Sequence, residues 1–86
     1  MIVATLLMTP LQVLADPASA ATCRANLAPD AQLIYDTVYP LVTPTTAIRD
    51  VIKRQTRSLV IAGKVKRSTA RENAEAAGQC FRLLRQ

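Results

Sequence analysis

Cys23 and Cys80 are the only cysteines in the 86-residue chain, and they lie near its two ends once an apolar leader is set aside. A bond between them would close a loop of 58 residues, an effect of about 4 kcal/mol in the chain-entropy account of cross-links. That is comparable to the whole stability a core this small supplies. Such a bond persists in an oxidising compartment, whereas a cytosolic protein would keep two buried thiols. The compartment therefore decides the fold, and the first residues decide the compartment.

Residues 1–15, MIVATLLMTPLQVLA, carry no charged side chain, and Asp16 and Pro17 follow. The run is interrupted by Pro10 and Gln12 and falls short of the roughly 20 apolar residues that span a bilayer. Ala18-Ser19-Ala20 places small residues first and third before a cut, the pattern a signal peptidase accepts. The expectation is a secretory signal peptide over residues 1–20, cleaved after Ala20, and a single domain over residues 21–86 with no transmembrane segment. The n-region lacks Lys and Arg, which a start codon upstream of Met1 would supply. The competing reading is a buried N-terminal helix. A lipid anchor on Cys23 does not fit, because Thr22 and Ala20 stand where that signal wants a small residue and Leu. The implied location is periplasmic or secreted, with Cys23 and Cys80 joined as a disulfide.

The 66 residues from Ala21 to Gln86 would hide only about 60 % of their unfolded surface on folding. Their apolar pattern is helical. A first helix is expected over about Pro29–Tyr39, with Leu33, Ile34, Val38 and Leu41 inward and Pro40 ending it. Tyr35 and Tyr39 fall off that line and are expected at the rim, hydroxyls in water. A second helix is expected to open with Thr43 as cap and Pro44 in its first turn, and to end at Gly63. Its inner stripe would be Ile48, Val51, Ile52, Leu59 and Ala62. Thr69 and Glu72 have the capping-box spacing for a third helix, whose inner face would be Ala70, Ala74, Ala77, Phe81 and Leu84. Ala70, Ala74 and Gly78 form a ridge without bulk, open to close approach by a neighbour. The expected fold class is all-α: a small three-helix bundle with one disulfide joining the chain ends.

Eleven basic residues stand against five acidic ones once Asp16 has gone, a net charge of +6. Eight of the basic residues fall between Arg49 and Arg71, with Asp50 as the single acid among them. Arg49, Lys53 and Arg57 recur at helical spacing and are expected opposite the Ile52/Leu59 stripe. Lys64, Lys66, Arg67 and Arg71 follow at the next turn. Such clustering either keeps a solvated face soluble or binds an anion. The binding reading takes Arg49, Lys53, Arg57, Lys64, Lys66, Arg67 and Arg71 as the site. The partner is then a lipid head group, lipopolysaccharide, an acidic polysaccharide or an acidic protein.

Catalysis is not expected. The chain has no histidine, which removes Ser-His and Cys-His nucleophiles. Two cysteines alone do not make a tetrahedral zinc site, and the scattered acids and two glycines provide neither an acid/base pair nor a phosphate-cradling loop. No cofactor or metal is implied. The stretch V-K-R-S-T-A-R-E, Val65 to Glu72, resembles the turn and recognition-helix start of helix-turn-helix and winged-helix repressors, often V-S-R-x-T-V-R-x. Val65, Arg67, Ser68, Thr69, Arg71 and Leu59 match that pattern, while Gly63 stands where it carries a core Leu. The resemblance implies that Arg67, Ser68, Thr69 and Arg71 would meet phosphates and base edges in a major groove. DNA binding through residues 65–72 is thus the alternative function, tied to an uncleaved leader.

Overall fold

The computed structural model describes residues 17–84, which form four α-helices and no strand. Helix α1 spans Pro17–Ala25, α2 Pro29–Val38, α3 Ile48–Ile61 and α4 Ala70–Arg82. The three expected helices are present, and α1 is an addition to them. Pro17 at its first position and the alanines of PASAATCRA favour a helix. Residues 1–16 of the expected leader lie outside the described residues. Its last four, Pro17–Ala20, form the first turn of α1, where Ala20 is buried.

The short α1 is closed by its neighbours. Gln32 of α2 donates from Nε2 to the carbonyl of Arg24 at 3.1 Å, and Asn26 Nδ2 donates to the Thr22 carbonyl at 3.1 Å. Both satisfy carbonyls that a helix C-terminus otherwise leaves to water. Arg24 grips Asp36 through two parallel bonds, Nε to Oδ1 at 2.9 Å and Nη2 to Oδ2. Cys23 of α1 and Cys80 of α4 form the disulfide, with Cα atoms 5.5 Å apart.

Helix α2 starts at Pro29 as expected and passes at Tyr39–Leu41 into a 3-10 turn containing Pro40. Helix α3 starts later than expected. Thr43 and Pro44 do not open it; they belong to a β-turn in which Thr46 N–H donates to the Thr43 carbonyl at 3.1 Å. Pro44 sits at the second position of that turn, which its fixed φ suits equally well. Thr46 Oγ1 also accepts from the Thr43 amide at 2.7 Å. The end of α3 is as expected. Gly63 has φ +75°, its N–H reaches the Val60 carbonyl at 3.0 Å, and the Lys64 N–H reaches Leu59 at 2.8 Å. This is the paired closure of a left-handed helix cap.

The capping box of α4 is not formed. Residues Arg67–Thr69 make a 3-10 turn leading into the helix, so the chain enters α4 already wound, and Thr69 accepts instead from Asn73 Nδ2 at 3.2 Å. Asp30, in the first turn of α2, accepts the Lys66 N–H at 3.0 Å and anchors this entry.

Helix α4 contacts the other three helices. The core runs from Ile34, Tyr35 and Val38 through Ala77, Cys80 and Phe81 to Val51, Ile52, Leu59 and Val65. Tyr35 corrects the rim expectation. It is only 5 % exposed and stacks on Phe81 with ring centroids 4.3 Å apart, whereas Tyr39 is 53 % exposed. Ala31, Ile34, Tyr35 and Val38 follow the i, i+3, i+4, i+7 rule and are all buried. Leu41, beyond Pro40, is turned out of the helical register and is exposed. Ala62 is exposed as well, and Val65 fills the core position beyond Leu59.

Candidate functional site

An open groove of about 1240 Å³ lies between α3 and α4. Its floor is apolar, built by Ile48, Ile52 and Val60 from α3 and by Ala70, Ala74 and Gly78 from α4. The bulk-free ridge makes the groove, since larger side chains there would occupy it. A Cβ on Gly78 would meet only Ile52 Cδ1, at 3.7 Å, so this position tolerates a methyl group. Ile61 lines the groove and is 76 % exposed.

The rims are basic. Arg49, Lys53 and Arg57 stand along α3; Arg67, Arg71 and Arg82 line the α4 side. Glu75 is the one acid lining the groove. The α3 cations were expected opposite the Ile52/Leu59 stripe, but their mean direction is only about 110° from it on a helical wheel. They therefore flank Ile52 as a rim. Among the described residues the single ion pair is Arg24–Asp36, so the six rim cations have no acidic partner within salt-bridge distance.

All seven residues expected for the basic site are exposed. Arg49, Lys53, Arg57, Arg67 and Arg71 share the groove; Lys64 and Lys66 do not line it. The backbone of Lys64 closes α3 and that of Lys66 is held by Asp30. Arg82 was missed by the sequence reading, although its spacing of eleven from Arg71 is three turns plus about 20°. Thr56 was missed too. It is 8 % exposed, and its Oγ1 is buried with no hydrogen-bond partner. Thr37, by contrast, donates to the Leu33 carbonyl at 2.7 Å, and Thr22 to Ala18 at 3.1 Å. An unmet buried hydroxyl costs about 1–3 kcal/mol, and this one lies in the groove lining.

Two shifted groups lie on the other side of the molecule. Burial raises the Tyr35 phenol above its usual range, with the nearby Tyr39 adding to the effect. The hydrogen bond from Arg24 holds the Asp36 carboxyl below its usual range. Among the described residues no group of His, Cys, Asp and Glu is placed to hold a metal ion. Nor, among the described residues, is any helix long and apolar enough to cross a membrane. The turn-and-helix stretch Val65–Glu72 has Val65 buried and Arg67 and Arg71 exposed on the groove side.

Comparison with known protein families, with curated proteins and with solved structures gives no match.

Proposed function

We propose that the chain is a small exported helical protein that catalyses nothing and binds an anionic partner of the cell envelope through the α3/α4 surface. The observation that carries this reading is the unpaired charge around the groove. Six cations from α3, the Arg67–Thr69 turn and α4 converge there with a single acid among them. Like charges so placed repel one another, and an anion relieves that repulsion. The Cys23–Cys80 disulfide is consistent with an oxidising, exported location. Cleavage after Ala20 would act on the chain before α1 forms, and it would leave Cys23 and Arg24 in the mature protein.

The test is retention of the full chain on heparin and on vesicles containing phosphatidylglycerol. Arg49→Glu with Arg57→Glu should elute at distinctly lower salt than the parent, since exposed charge attraction is screened by ions. Identical elution would remove the reading. Duplex DNA binding at physiological salt, lost in Arg67→Ala and Arg71→Ala, would assign the surface to nucleic acid instead.

A further inference from the structure

We infer that the α3/α4 groove is a docking site for an amphipathic α-helix of a protein partner, with an apolar stripe flanked on both sides by Asp and Glu. This deepens the anion-binding reading and rests on it. Two features select the occupant. First, the charge is distributed along two facing rims and not gathered at one end. Arg49 to Arg57 covers about 12 Å of helix axis and Arg71 to Arg82 about 16 Å, at 1.5 Å per residue. A lipid presents its charge at one end, whereas a helix with acidic flanks presents it along its length on both sides. Second, the floor between the rims is apolar and shallow in side-chain bulk, with Ala70, Ala74 and Gly78 on one wall, and the exposed Ile61 continues the α3 rim one turn beyond Arg57. A helix laid there meets apolar surface below and cations at either side, the helix-in-groove mode of recognition.

Single-stranded nucleic acid also carries charge along its length, but its bases need aromatic faces to stack on. The one aromatic lining the groove is Phe81, which is 1 % exposed and already stacked on Tyr35.

The test uses the full, oxidised chain and a fluorescent synthetic peptide of roughly 16 residues, about 24 Å as a helix. It carries Leu at i, i+3, i+4 and i+7 spacing and Glu on both flanks. A peptide of the same composition in scrambled order is the control, and heparin and phosphatidylglycerol vesicles are run in parallel. The expected result is micromolar binding of the ordered peptide and at least tenfold weaker binding of the scrambled one. Ile61→Ser should weaken peptide binding about tenfold while heparin retention stays unchanged, because the substitution removes apolar contact and no charge. Ala74→Leu, which fills the floor, should act alike; Ile61→Ser, at an exposed position, keeps the test valid if that variant does not fold. Equal binding of ordered and scrambled peptides, or peptide binding indifferent to Ile61→Ser, would overturn the docking site while leaving the anion-binding surface intact. Vesicle binding that falls with Ile61→Ser, with no peptide binding, would overturn it in favour of a lipid surface. Loss of heparin and vesicle retention by the parent itself would instead remove the broader reading.

Discussion

The two sides of α4 are finished to different degrees. Toward α1 and α2 the contacts are specific and paired: the Cys23–Cys80 bond, the Tyr35–Phe81 stack, the paired Arg24–Asp36 bonds and the Gln32 bond that caps α1. Toward α3 the same helix contributes small residues, and the facing surfaces leave a groove, a hydroxyl without a partner, an exposed isoleucine and six unpaired cations. A small domain near the limit of stability keeps costly features where they are useful. The contrast therefore separates the half of the molecule that holds the fold from the half that leaves apolar surface and charge unpaired.

Substitutions on the two sides should differ accordingly. The largest effect belongs to the staple: Cys80→Ser should lose about 4 kcal/mol and leave the chain largely unfolded. An unchanged melting temperature would show that the α1–α4 link does not hold the fold. Next, Phe81→Ala should cost about 3–5 kcal/mol in denaturant unfolding, because Phe81 is fully buried. Ile61→Ala on the groove side should stay within about 0.5 kcal/mol. Similar costs for the two would dissolve the distinction between the sides. Thr56→Val should raise stability by about 1 kcal/mol, since it removes an unmet hydroxyl at nearly constant shape. A loss would mean that the hydroxyl is satisfied in solution.

The smallest effects are in the pH dependence, and they report the closed side. The Tyr35 phenol is raised above its ordinary value near 10 by burial, so the folded state holds this proton more tightly than the unfolded chain does. Its contribution is complete below pH 10 and is lost as pH rises beyond; Tyr35→Phe should flatten that alkaline loss. Asp36 is lowered from its ordinary value near 3.8 by the Arg24 hydrogen bond. Its contribution is present above about pH 4 and lost as pH falls further. Asp36→Asn should abolish that acid-side loss, and added salt should mute it in the parent because the pair is partly exposed.

The closed side was largely legible in the sequence. The disulfide followed from two cysteines and an export pattern, the limits of α2 from Pro29 and Pro40, and the end of α3 from Gly63. Tyr35 was misplaced because Leu41 was counted into the α2 stripe across Pro40, which pulled the inward direction away from Tyr35. The start of α3 and the cap of α4 were misread for a shared reason, although α4 begins next to Thr69 as expected. Thr-Pro and Thr-x-x-Glu are compatible with a helix cap and equally with a turn, and neighbouring groups such as Thr46 and Asn73 took the hydroxyls. The open side was visible in the charge from Arg49 to Arg71 and the ridge Ala70-Ala74-Gly78: five of the seven expected cations share the groove, while Arg82 and the apolar floor between the rims were not foreseen.

By itself the sequence determined an all-helical chain with a stapled core, since helical periodicity, proline and glycine act within a few residues of themselves. Tertiary packing alone decided that Tyr35 lies under Phe81 and that α1 folds onto α4. It also decided that Arg82 joins cations from α3 around one groove. Those relations depend on the distance between helices, which is set by which side chains meet across the interface. No spacing along the chain encodes that distance.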